Sequence, residues 1–223
     1  MKVVNPKKFS KSKTDTAGIL LSKKTGTKEE RNDALEILSN WRASHNYPLQ
    51  VFMNRLKRVS IKIDANTLTA QRLKRVPSIL NKLNRKYEGL SKPTMKLTQM
   101  QDIAGCRVVL SNVKLVRKLY IGEYVQGDLK HKRIKVNNYI DSPKSDGYRS
   151  IHLIYKYFSD KGRTDFNDLL VEIQVRSRLQ HIWATAVETV GFFTKQAIKS
   201  NEGEKYWLEF FKRSTSKAQL NSK

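Results

Sequence analysis

In LLVEIQVR, residues 169–176, a period of two puts Leu169, Val171, Ile173 and Val175 on one face of a strand and Leu170, Glu172, Gln174 and Arg176 on the other. The second face aligns a carboxylate, an amide and a guanidinium. These groups can accept a proton or bind a metal ion, read a polar ring edge, and hold a phosphate. Alternation of this kind is also the common pattern of a solvated sheet face, so its meaning depends on three further clusters. DIAGCRVVL, residues 102–110, is apolar enough for a mostly buried strand, yet it carries Asp102 and Arg107, charges that a buried strand rarely keeps without a use. In RLKRVPSILNK, residues 72–82, Pro77 places a turn near Arg75 and starts a new helix with Ser78 in its first turn. Exposed amides at such an end form an anion site, surrounded here by Arg72, Lys74, Arg75 and Lys82. In PKSDGYRSIH, residues 143–152, Gly147 permits a tight turn that displays Tyr148, with Lys144 before it and His152 after it. A tyrosine so displayed can stack on a base, contributing roughly 1–3 kcal/mol. Two carboxylates on neighbouring strands beside a basic cradle suit a Mg²⁺ ion carried with a nucleoside triphosphate, and together they point to phosphoryl-type transfer.

The elements that must position these clusters follow from periodicity. Residues 1–27, rich in Lys, Ser and Thr, read as a loose basic arm. From 28 the spacing of Ala34, Ile37, Leu38 and Trp41 is helical, with Thr27, Glu29 and Glu30 at its start, and the helix ends ahead of Pro48. A second helix over 48–59 is followed by a short extended piece, VSIKID. Residues 67–88 read as helical with a break near Arg75, and a turn follows at 91–93. Strands are expected at 102–110, 133–140, 148–158 and 169–176, with a helix over 114–125 between the first two. Leu179, Ile182, Trp183, Ala186, Val187 and Val190 mark an amphipathic helix, and helical spacing returns around Tyr206, Trp207, Phe210 and Phe211. The order predicts an α/β or α+β domain with a mixed sheet of four or five strands flanked by helices over 28–212, and a polar tail over 213–223.

With 223 residues the chain can form one substantial core, and its 44 Lys and Arg against 20 Asp and Glu give a formal charge of +24. Such an excess fits a polyanionic partner. A membrane surface is disfavoured by the lack of a long basic amphipathic helix or lipidation motif. The single Cys106 fits a reducing compartment, a zinc site is not expected, and no apolar run has signal-peptide or membrane-span length. The sequence therefore reads as cytoplasmic.

DIAGCR, SPKSDGYRSIH and VEIQVRS, in that order, resemble the signature blocks of the RelA/SpoT family synthetase domain, the alarmone pyrophosphokinases. RLKRVPSILNK matches that family's nucleotide-binding pattern through Arg72, Lys74, Ser78 and Lys82. The resemblance implies a nucleotidyltransferase-like synthetase fold and transfer of the β,γ-pyrophosphate of ATP to the 3′-hydroxyl of an acceptor. By motif, Arg72, Lys74, Ser78, Lys82 and Arg107 would hold ATP, and Asp102 and Glu172 would carry Mg²⁺ and catalysis, with Glu172 activating the hydroxyl. Lys144, Tyr148, His152 and Gln174 match acceptor-side positions, while Arg75 and Arg176 serve phosphate or structure. Arg176-Ser177 replaces the usual Arg-Thr, and Gly105 stands where many relatives have Ala. The His-Asp pair of the family's hydrolase domain is not found, so a synthetase-only chain is expected. NWRASHNYPLQVF, MKLTQMQDIAGCR and QAIKSNEGEKYWLEFF resemble the toxic small alarmone synthetases. That likeness and the charge favour the 3′-CCA end of tRNA as acceptor, blocking translation, with a neutralising antitoxin protein or fused domain and a possible part in phage defence. A free guanine or adenine nucleotide as acceptor, and a non-catalytic RNA-binding relative, are the alternatives.

Overall fold

The computed structural model describes residues 4–85, 92–195 and 203–220, the last six of these by backbone alone. Five strands form one mixed sheet: β1 (Leu68–Leu73), β2 (Ala104–Leu110), β3 (Lys132–Asn138), β4 (Ile151–Lys156) and β5 (Leu170–Ser177), in the order β1-β2-β5-β4-β3. β2 and β5 run parallel, and the other neighbours are antiparallel. The mixed sheet with flanking helices is as the sequence predicts. Val171, Ile173 and Val175 are fully buried with Cys106, Val108, Leu153 and Tyr155 on one side of the sheet. Each fully buried aliphatic side chain contributes about 1.5–3 kcal/mol. A slip of one residue would drive Glu172, Gln174 and Arg176 into that core, so burial itself fixes which face carries the polar row.

The core side is covered by α3 (Asn46–Ile63), which packs on β1, β2 and β5, and by α5 (Val113–Leu119), which continues as a π-helical turn over Tyr120–Val125. α2 (Lys28–Ser44) begins with a reciprocal cap between Thr27 and Glu30 and ends at His45, from which α3 leaves directly. α6 (Arg178–Thr194) starts from a second such cap, Ser177 with Gln180, and packs against β5 and β2. α7 (Lys205–Leu220) packs on α6 through Phe211, Trp207 and Val187. Among the described residues no helix is long and apolar enough to cross a membrane.

Four sequence expectations need correction. Residues 11–23 are not a loose arm: they form α1 (Lys11–Lys23), capped by Ser10, with Thr14, Ala17 and Leu21 buried. Asp15 accepts hydrogen bonds from the amide and hydroxyl of Thr98, and a Cβ at Gly18 would lie 2.9 Å from Leu97 Cβ, so glycine permits the close approach. The VSIKI segment continues α3, because the helical stripe of Phe52, Leu56, Val59 and Ser60 stays buried through it. Residues 68–73 are the edge strand β1 and not a helix, stabilised by pairing with β2. The polar tail expected from 213 is helical as far as Leu220. The predicted end of the helix at 86–88 and the start of the turn at 91 lie outside the described residues.

Candidate active site

Strand register assembles the site. Arg72 of β1, Gly105 of β2 and Glu172 of β5 are paired across the sheet, and so are Ala70, Arg107, Gln174 and His152 in the next row. Side chains paired in this way point to one face. α4 (Val76–Leu83) stands beside β1 with Arg75 as its N-cap and Pro77 at its second position, one residue later than the sequence suggests. Arg75 makes no side-chain cap bond, leaving the first-turn amides to other partners. A cleft of about 520 Å³ lies over the sheet. It brings together Arg72, Lys74, Ser78, Lys82, Asp102, Arg107, Lys144, Tyr148, His152, Glu172, Gln174 and Arg176. Arg75 is the predicted residue that does not line it; its side chain is exposed at the N-terminus of α4.

Asp102 lies just ahead of β2, with Lys74 Nζ 3.0 Å from Oδ2 and Lys82 Nζ 2.8 Å from Oδ1. Burial pushes its carboxyl up, but the ammonium groups of Lys82 and then Lys74 outweigh burial and hold it below the usual carboxylate range. Glu172 is also buried, and burial again raises its carboxyl. His152, 2.9 Å from Oε1, and Gln174, donating to Oε2 at 2.7 Å, together reverse that shift, while Asp102 opposes them. Both carboxylates are thus held ionised and sense one another across the cleft. Among the described residues no group of three or more His, Cys, Asp or Glu could hold a metal ion. Two carboxylates alone suit a Mg²⁺ ion that brings phosphate and water oxygens with it, rather than one caged by protein.

Tyr148 differs from its expected display. The turn forms as predicted, with Gly147 at φ +89° and its amide donating to the Lys144 carbonyl. The Tyr148 ring nevertheless turns inward to 8% exposure, because its hydroxyl finds His152 and Arg176 and its ring packs near Trp183. Tyr139, half-buried beside it and edge-on to both Tyr148 and His152, is a neighbour that sequence patterning did not single out. Lys144 Nζ lies 4.8 Å from the Tyr139 ring centroid and 5.2 Å from that of Tyr148. Burial and then the charge of Glu172 push the Tyr139 hydroxyl up, which places it within electrostatic reach of that carboxylate. Asn81, Arg85, Asp146 and Glu188 also line the cleft. Asn81 and Arg85 could have been found from their helical spacing to Ser78 and Lys82, whereas Glu188 on α6 left no local signal.

The chain is similar to known proteins in sequence and in fold. GTP pyrophosphokinase YwaC of Bacillus subtilis (strain 168) is 34% identical over 118 residues, covering 52% of this chain and 54% of that protein. GTP pyrophosphokinase YjbM of the same organism is 32% identical over 124 residues, covering 54% of each. The matches therefore span about half the length of these curated relatives. The small alarmone synthetase 1 of Bacillus subtilis, in a crystal structure bound to its product pppGpp, shares the fold with a TM-score of 0.68 at 23% identity, over 82% of this chain and 92% of that one. The family described as the region found in RelA / SpoT proteins matches residues 71–195, the stretch from β1 to the end of α6 that builds the cleft, and the chain belongs to that family.

Proposed function

We propose that the chain is a pyrophosphokinase that transfers the β,γ-pyrophosphoryl group of ATP to the 3′-hydroxyl of a guanine nucleotide. The observation that carries this reading is the placement of Glu172 on the strand next to Asp102, both ionised, beside the cradle of Arg72, Lys74, Lys82 and Arg107. The names of the two curated relatives support a guanine acceptor over tRNA.

On this reading Arg72, Lys74, Lys82, Arg107 and the first turn of α4 with Ser78 hold the donor phosphates, and Lys144 with the Tyr139–Tyr148 side takes the acceptor. The acceptor O3′ forms a bond to the β-phosphorus as the bond from that phosphorus to the α,β-bridging oxygen breaks. AMP departs with that oxygen and its electron pair, and the hydroxyl proton passes to Glu172. Asp102 and Glu172 would hold Mg²⁺, which neutralises charge on the transferred group when bound. Holding both substrates in line accounts for most of what the protein must do.

A second reading rests on the charge of +24, which exceeds what a free nucleotide requires. There the acceptor is the 3′ end of tRNA, the consequence is arrest of translation, and the natural partner is a neutralising antitoxin. Incubation with ATP labelled in the γ-phosphate, together with GDP or GTP on one side and deacylated tRNA on the other, separates the two. Label on the guanine nucleotide with release of AMP is the expected result. Label on tRNA alone transfers the assignment to the second reading, and no transfer to either refutes both.

A further inference from the structure

Five side chains of the cleft close a ring of hydrogen bonds. His152 Nδ1 is 2.9 Å from Glu172 Oε1, and His152 Nε2 is 2.7 Å from the Tyr148 hydroxyl. Arg176 Nη2 lies 3.1 Å from that same hydroxyl and also donates to Gln174 Oε1. Gln174 Nε2 donates to Glu172 Oε2 at 2.7 Å, which completes the circuit. Elementary chemistry gives the ring a direction. A guanidinium can only donate and an ionised carboxylate can only accept. Gln174 must therefore turn its oxygen to Arg176 and its NH₂ to Glu172. His152 must present Nδ1–H to Glu172; in its singly protonated form Nε2 then receives the Tyr148 proton while the Tyr148 oxygen accepts from Arg176. Both arms start at Arg176 and end on the two oxygens of Glu172.

Arg176 is itself only 5% exposed; its Nη2 makes both of its ring bonds, and its Nε is buried without a hydrogen-bond partner. The ring also accounts for the inward turn of Tyr148 and leaves neither end of the Gln174 amide free. We propose that Arg176 is a positioning residue, which acts through Tyr148–His152 on one side and Gln174 on the other to fix the orientation of Glu172. Each arm occupies one lone pair of its Glu172 oxygen, leaving another to accept the acceptor's hydroxyl proton. This role rests on the reading of Glu172 as the base.

Two measurements on the intact chain test it. With ¹⁵N-labelled histidine at pH 8, and His152→Gln to assign the signal, His152 is expected as the Nδ1–H tautomer with an unprotonated, hydrogen-bonded Nε2. That Nε2 resonance should move in Tyr148→Phe. In kinetics, Tyr148→Phe and Arg176→Lys are each expected to lower kcat about tenfold or more with the KM for ATP changed by less than about twofold. Combining them should cost no more than Arg176→Lys alone, since both changes open the same circuit. An Nε2–H or doubly protonated His152, penalties that add independently, or effects confined to KM would overturn the proposal. If Arg176→Lys does not fold, the tautomer and the Tyr148→Phe response still decide. The spectra need no turnover. The expected tautomer in a chain without transferase activity would sink the functional reading and keep the ring, whereas activity with the wrong tautomer would do the reverse.

Discussion

Lys74 and Lys82 each hold one oxygen of Asp102, at 3.0 and 2.8 Å, while a third cation of the same sequence block, Arg75, stands outside the cleft. The three were indistinguishable as residue types; the turn of the chain at Arg75 separates them. Under the proposed function, Lys82→Met removes a partly buried charge-assisted hydrogen-bond donor from the side of the cleft assigned to the donor phosphates. Such an interaction contributes ~1.5–3 kcal/mol, or roughly ten- to a hundredfold in affinity. ATP binding measured by calorimetry is therefore expected to weaken by that factor in Lys82→Met and by less than about twofold in Arg75→Met. Equal losses in the two variants would show that charge near the cleft, rather than contact within it, governs donor binding.

At the scale of elements, local patterning made the β5 strand, the start of α2 at Thr27 and the break before α4 legible. It missed β1, whose residues are mostly exposed and whose strand state depends on pairing with β2 more than thirty residues away in sequence, where no periodicity can report it. It missed α1 because that helix buries small residues, Thr14, Ala17 and Gly18, with Leu21 as the one large aliphatic among them. The ring around Glu172 was legible as residues but not as bonds, since these depend on the β4–β5 register. The junction of α2 and α3 held a further surprise. His45 is fully buried there, its Nδ1 2.8 Å from the Trp41 carbonyl, and burial lowers its pKa to about 4, although the Trp41 hydrogen bond opposes this. Between about pH 6.5 and pH 4 the unfolded chain binds a proton here that the folded chain refuses, so stability falls as pH falls, by up to about 1.4 kcal/mol per unit. Asp102 and Glu172, whose carboxyls are also held low, add a contribution of the same sign that is lost only as pH drops through the carboxylate range. Urea unfolding is thus expected to show a loss of about 2 kcal/mol from pH 6.5 to 5. The loss should be largely abolished in His45→Asn, leaving the smaller same-sign contributions of His131 and His181.

At the scale of the whole molecule, the cleft does not account for the charge. Among the described residues seven cationic side chains line it against four acidic ones, Asp102, Asp146, Glu172 and Glu188, while the chain as a whole carries +24. Most of the excess therefore lies outside the space a nucleotide can fill. A field of that sign draws any phosphate compound toward the protein, but only a long polyanion exchanges enough counterions to benefit from charges so widely spread. The two acceptor readings then differ in how turnover and RNA binding respond to salt. RNA binding is expected to weaken steeply between 50 and 200 mM KCl under either reading, by orders of magnitude if six or more phosphates are neutralised. If the acceptor is a free guanine nucleotide, kcat/KM for that nucleotide should change by less than about tenfold over the same range, because only the few charges inside the cleft act on it. A guanine-nucleotide turnover that fell in parallel with RNA binding would mean that the outer charge acts on the acceptor itself, and the free-nucleotide assignment would fail.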